Sequence, residues 1–220
     1  MNRSVVPFGK PRGERADAVR NRERLLETAR EMIAEHGVEK LTMDGLAERA
    51  GLGKGTVFRR FGTRAGIFRA LLEDDERRFQ ERVMSGPPPL GPGADPKDRL
   101  IAYGRARIPF LLHHHAIARA AMERGGPAPE SGVNLTRLHI RMLLGRTSGD
   151  MPELDSLTLQ LAAALEGPLL LYLSADAPTA PPDPDTARHL VNSWQALIGC
   201  VTGRHRASPT PDEPDAVSEP

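Results

Sequence analysis

Apolar residues recur with a helical period along most of this chain. From Arg15 to His36 there is no proline or glycine, and Leu25, Leu26, Ala29, Met32 and Ile33 fall on one side of a helix that Gly37 ends. Thr42 is placed to cap a second helix, with Met43, Leu46, Ala47 and Ala50 at i, i+3, i+4 and i+7. Asp44 stands where the helix dipole favours an anion, and Gly51 where a left-handed residue stops the helix. After Leu52 a third helix starts near Gly53 or Lys54, takes Val57, Phe58 and Phe61 as its inner face, and ends at Gly62. Thr63 caps a fourth, carrying Ile67, Phe68, Leu71, Leu72, Phe79 and Val83 as far as Ser85 and Gly86.

The downstream pattern is also helical. Residues 85–96 are too rich in proline and glycine for a helix and read as a loop. Helical periodicity returns from Asp98 to about Arg124, with Pro109 as a kink or break, then from Val133 to about Leu144 after a second loop. Residues 154–175 form an apolar helix with a bend expected at Gly167-Pro168. A proline-rich connection leads to a last helix, Asp185 to Arg204, with Leu190, Val191, Trp194, Leu197, Ile198 and Val201 on its apolar side. There is no strand pattern of useful length and no internal repeat. The expected class is all-α: an N-terminal three-helix helix-turn-helix DNA-binding domain, then a helical ligand-binding and dimerisation domain. The expected boundaries are a flexible basic arm over 1–14, the helix-turn-helix over 15–62, the regulatory domain over 63–204 (63–84 being a connecting helix), and a disordered tail over 205–220.

Leu41 to Phe61, LTMDGLAERAGLGKGTVFRRF, carries the chemistry. Two short helices meet at a glycine-marked turn, and basic residues crowd the second, which is the arrangement that places one helix in the major groove of DNA. Thr56, Arg59 and Arg60 are candidates for base edges, since arginine pairs with guanine O6 and N7. Lys54, Arg64 and the helix start at Thr42 are candidates for phosphates. Phe58 could meet a thymine methyl or a sugar, or belong to the small core.

These residues resemble the TetR (tetracycline-repressor-like) family of bacterial transcriptional regulators. The likeness rests on AREMIAEHGVEKLTM, LAERAGLGKGTVFRRF and TRAGIFRALL and covers roughly residues 20 to 75. It implies an all-helical homodimer that binds operator DNA, usually as a repressor, and releases it when a small molecule enters the C-terminal domain. Four positions depart from the family pattern: Phe58 stands where a tyrosine is usual, Arg64 for lysine, Gly53 for serine, and Gly66 for an acidic residue that would complete a capping box.

Charge is distributed in keeping with DNA binding. The net charge is only +1. Residues 1–70, however, hold 15 Lys and Arg against 9 Asp and Glu, while residues 71–220 hold 15 against 20. The basic half coincides with the proposed head, as an electrostatic footprint should. The alternative is a merely solvated basic helix, because Glu alternates with Arg along the first one. The arm over 1–14 either touches DNA or is a leader without function. A single cysteine, Cys200, suits a reducing cytoplasm, and no signal-peptide pattern opens the chain. Leu157 to Leu173 is interrupted by Gln160, Glu166 and Pro168 and reads poorly as a membrane span, so a cytoplasmic protein with no membrane partner is expected.

The remaining residues offer weaker signals. The last two helices are unusually apolar and are expected to form a four-helix dimer interface through Leu169, Tyr172, Leu190, Trp194, Leu197 and Ile198, with burial inside one subunit as the rival reading. Phe110, His114, Met122, Leu138, Met142, Leu165 and Tyr172 are candidate pocket residues by type and domain alone, with ordinary core as the alternative. His113, His114 and His115 point about 100° apart on a helix and do not converge on one ion, so no metal and no cofactor are expected. GLGKGT is not a phosphate loop, because Gly55 follows Lys54 and no strand precedes it. With no nucleophile elbow and no HExxH, the expected function is regulation of transcription rather than catalysis: double-stranded operator DNA, a second copy and a small-molecule effector are the expected partners. The alternative is an activator or ligand-independent DNA-binding protein with the same head.

Overall fold

A computed structural model describes residues 12–122, 133–147, 151, 153–174 and 183–204. The expected arm up to residue 11 and the expected tail lie outside the described residues. Among the described residues there are nine α-helices and no strand: α1 Arg12–His36, a 3-10 turn Val38–Lys40, α2 Met43–Arg49, α3 Lys54–Phe61, α4 Arg64–Ser85, α5 Pro96–His113, α6 His115–Met122, α7 Val133–Thr147, α8 Leu154–Ser174 and α9 Pro184–Arg204. Both expected proline positions fall inside helices. Pro109 does not break its helix but lies inside α5, and the interruption falls at His114. Pro168 likewise lies within α8, which runs on to Ser174.

The described residues form two compact units that do not follow chain order. The first takes the chain up to Arg77 and adds the stretch from His114 through α6. Its core is Leu25, Leu26 and Ala29 of α1, Leu46 and Ala47 of α2, Val57 of α3, and Ile67, Phe68 and Leu71 of α4. Ala120 and Ala121 of α6 are buried in the same core, so the head draws on α4 and α6 beyond the three helices its sequence suggests. Gly51 makes the turn with φ +60°, and a Cβ there would lie 3.1 Å from the Arg24 guanidinium. A residue with a side chain would meet both the left-handed backbone and that cation.

Ionic contacts knit the same unit. Arg30 donates to Asp74 and to Asp75, both at 2.7 Å. His114 Nε2 lies 3.1 Å from the other oxygen of Asp75, tying the residue before α6 to α4. Burial alone would raise Asp75, but the hydrogen bonds from His114 and Arg30 outweigh it and hold the carboxyl below its ordinary value. The unfolded chain therefore takes up this proton before the folded one does. The stabilisation is complete above the ordinary carboxylate value and fades as the pH falls through the lower, folded one. We expect Asp75→Asn to remove that part of the acid dependence, read as circular-dichroism melts between neutral and acidic pH.

The second unit is built on α5. Arg99, Tyr103 and Arg107 stand at i, i+4 and i+8 on its inner side, with Leu100, Ile108, Leu111 and Leu112. Trp194 of α9 lies flat against Gly104, where a Cβ would come within 2.1 Å of the indole, and its Nε1 donates to the Leu100 carbonyl at 2.8 Å. Helix α7 turns Thr136, His139, Ile140, Leu143 and Leu144 inward, and α8 meets it with Thr158, Leu161, Ala162 and Leu165. Over Leu154–Leu171, α8 is long and apolar enough to cross a membrane by length and composition. Its inner side is nevertheless core, and Glu166 pairs with Arg107 at 3.3 Å.

Candidate nucleic-acid interface

The turn is positioned by its own hydrogen bonds. The Thr42 hydroxyl accepts from the Gly45 N–H at 3.0 Å, closing the start of α2. The Leu52 N–H returns to the Ala47 carbonyl at 2.9 Å, which folds the chain back between the two helices. Helix α3 then buries Val57 completely and half-buries Phe61. Lys54, Gly55, Phe58 and Arg59 are one and four apart on the opposite, exposed face. At Gly53 and Gly55 a Cβ would meet nothing within 4 Å, so the start of α3 offers bare backbone. We expect Thr42→Ala to lower stability by about 1 kcal/mol, the usual loss on removing an N-cap, read by chemical denaturation.

The expected contact residues separate into two groups. Thr42, Lys54, Phe58 and Arg59 are exposed and Thr56 is half-buried. Lys54 pairs with Asp44 at 2.8 Å, but both side chains are well exposed, so a phosphate can displace that partner. Arg59 has no hydrogen bond or ion pair among the described residues. Phe58 is 50% exposed, which corrects its expected place on the inner face: one residue beyond Val57, it is turned about 100° away from the core.

Arg60 and Arg64 are drawn into the head itself. Arg60 Nη2 donates to the Ala18 carbonyl of α1 at 2.7 Å. Arg64 donates from Nε to the Leu41 carbonyl and from Nη2 to the Val38 carbonyl, both at 2.7 Å, and lies over the Phe68 ring. Its fork thus fastens the start of α4 to the segment leading into α2. Lysine has one ammonium and cannot copy this planar two-pronged grip, which gives the departure at Arg64 a structural meaning. We expect Arg64→Ala to destabilise the head by about 2–3 kcal/mol, since two charge-assisted bonds to main-chain carbonyls are lost, and Arg64→Lys to recover only part of it. Urea melts of the two variants measure the difference.

Residues 25–71, the stretch just described, match the family model for bacterial regulatory proteins of the tetR family. Over this head the chain is similar to the tetR family. The tetR-type head is also 40% identical over 65 residues to the HTH-type transcriptional repressor AcnR of Corynebacterium efficiens, covering 30% of this chain and 35% of that protein. It is 34% identical over 65 residues to an HTH-type transcriptional regulator of Staphylococcus aureus, covering 30% of this chain and 35% of that one. The matched stretch is thus about a third of either relative's length. Solved structures share the architecture over more of the chain. A TetR-family transcriptional regulator from Pectobacterium atrosepticum covers 91% of this chain and 100% of its own with a TM-score of 0.64 and 18% identity. A transcriptional regulator from Rhodococcus sp. RHA1 covers 86% and 99% with a TM-score of 0.59 and 21% identity. At such identities the likeness speaks for the fold.

The remaining expected site residues are scattered. Of the pocket candidates, His114 and Met122 fall in the head unit, and Leu138 and Met142 lie on the exposed side of α7 at 64% and 37% exposure. Leu165 is core at 1%, and Phe110 packs on Phe79 in the second unit. The Tyr172 side chain lies outside the described residues. Of the interface candidates, Trp194 and Ile198 are 3% and 0% exposed within a single chain and have nothing left for a partner to cover; Leu190 packs partly against the same core, and Leu169 is half-buried. Leu197 is exposed at 38%. The polar groups that do gather are Tyr103, Arg107, Thr136, His139 and Glu166, with Arg99 one turn along α5 from Tyr103.

Proposed function

We propose that this protein is a transcriptional repressor that binds a palindromic operator as a homodimer and is released by a small-molecule effector. The observation that carries the reading is the outward side of α3: Arg59 without an internal partner, Lys54 held only by an exposed carboxylate, and open glycine backbone at its start, all on a head with a net positive charge. A duplex supplies the missing anions, and the counterions it sheds supply most of the affinity. Lys54 and the α2 start at Thr42 then serve phosphates, Arg59 and Thr56 reach base edges, and Phe58 presents an apolar face to a thymine methyl or sugar. Arg60 and Arg64 brace the head instead.

The dimer reading is supported by α8. Beyond its first turn, which carries the exposed Asp155, its outward residues Leu159, Gln160, Ala163, Ala164, Leu170 and Leu171 include no charge, and Leu159, Leu170 and Leu171 are 57%, 60% and 74% exposed. Apolar surface of this extent on a helix calls for a cover, and the same face of a second copy closes with two-fold symmetry. Sedimentation velocity of the wild type and of Leu171→Asp tests it, together with mobility shift on the region upstream of the protein's own gene. A dimer that becomes monomeric in the variant and shifts DNA only as a dimer is expected. A wild-type monomer that binds DNA equally well would refute the symmetric reading.

A further inference from the structure

The interior of the second unit contains a charge left without a counterion. Arg107 is met by Glu166 at 3.3 Å and lies over the adjoining Phe79 and Phe110 rings at 5.3 and 5.2 Å. Thr136 donates to the same carboxylate at 3.1 Å, and the Tyr103 hydroxyl is 2.9 Å from Thr136. Arg99, two turns back on the same side of α5, is placed differently. It is 7% exposed, yet among the described residues no carboxylate lies within 4 Å of it and its Nε has no hydrogen-bond partner. Its one hydrogen bond is a long one, 3.4 Å from Nη2 to the Val83 carbonyl.

His139 of α7 packs on Tyr103, one helical turn along α5 from Arg99. It too is 7% exposed, its ring lies 4.8 Å from that of Tyr103, and its Nε2 is buried without a partner. Burial, and then the charge of Arg99, push it down to about 4, so the imidazole is neutral near pH 7 and free to present an N–H at Nε2. The other charge acting on Arg99 is Arg146, also positive. Arg99 Nε and His139 Nε2, both buried without a hydrogen-bond partner, are complementary to an anion that accepts from each. The surrounding core, with Phe79, Val83, Leu100 and Leu143, is apolar.

We propose that Arg99 and His139 form the anchoring end of the effector site, and that the effector is an organic carboxylate with an apolar body. The inference rests on the effector reading above and supplies its chemistry. It also supplies a route. The acceptor that Arg99 now holds is the carbonyl of Val83, in the last turn of α4, and the first turn of that helix carries Arg64, which fastens the helix-turn-helix. A carboxylate that takes Arg99 competes for that hydrogen bond at the last turn of α4.

The test uses the full chain with octanoate, decanoate, benzoate and phenylacetate, the primary amide of each, and inorganic phosphate. At least one carboxylate is expected to raise the melting temperature by 3 °C or more and to weaken operator binding at least tenfold, while its amide does neither. Arg99→Gln is expected to lose at least tenfold in affinity for that carboxylate, and Arg99→Lys to fall between. If Arg99→Gln does not fold, the acid–amide comparison decides without it. The proposal fails if no carboxylate acts, if amides match acids, if phosphate alone gives the same shift, or if Arg99→Gln responds as wild type. Operator release by amides but not acids overturns this assignment and leaves the effector reading intact. A protein that binds no duplex overturns the reading beneath it.

Discussion

Gly104→Ala is expected to cost about 3–5 kcal/mol, combining overpacking with a lost buried hydrogen bond. The added methyl carbon would lie 2.1 Å from two atoms of the Trp194 indole and 2.6 Å from a third. That ring is 3% exposed and is held by its bond to the Leu100 carbonyl, so it cannot withdraw without breaking the bond and opening a gap between α5 and α9. A loss of this size approaches the whole stability of an ordinary domain, about 5–15 kcal/mol. Trp194 is the only tryptophan, so its fluorescence in a urea titration reports this site directly. Trp194→Phe in the same background should restore part of the loss, because the smaller ring makes room, and the non-additivity identifies the clash as the cause. A melt of Gly104→Ala within 1 kcal/mol of wild type would show that the two helices are not packed as described.

Arg59→Ala is expected to weaken specific operator binding by about 2–6 kcal/mol, since each bidentate arginine–guanine pair discriminates by about 1–3 kcal/mol and a dimer loses two. The fold should be untouched: Arg59 is exposed and makes no polar contact among the described residues, and such surface changes stay within about 0.5 kcal/mol. Anisotropy titrations against the operator and against random duplex separate the roles. A loss confined to the operator assigns Arg59 to base edges. Equal losses on both make it a backbone contact. Arg60→Ala is the internal comparison, because its guanidinium already serves the Ala18 carbonyl.

The head was readable in the sequence because its signals are local. Thr42, Gly51 and Gly62 punctuate it, and Leu46, Ala47 and Val57 follow the period of the helices they sit on. Phe58 is ambiguous by type, since an aromatic suits either the core or the DNA, and the phase set by Val57 turns it outward. The contribution of α6 could not be read. Ala118, Ala120 and Ala121 announce a helix but carry nothing that names the core they enter. The same limit explains the scattered pocket candidates. Leu138 and Met142 are apolar by type, yet α7 buries Thr136 and His139 and exposes the leucine and methionine. The signal that was available lay in α5, where Arg99, Tyr103 and Arg107 recur every fourth residue among apolar neighbours, the mark of polar groups facing inward.

The most direct test of the account is the affinity of the purified protein for a palindromic operator duplex from its own upstream region, titrated against salt and compared with a duplex carrying one half-site. Two chains per duplex are expected, with affinity falling by about a thousandfold or more between 50 and 200 mM salt, as six or more phosphate contacts require. The single half-site should bind far more weakly. Equal affinity for both duplexes, or affinity indifferent to salt, would contradict a basic α3 docked in pairs in the major groove.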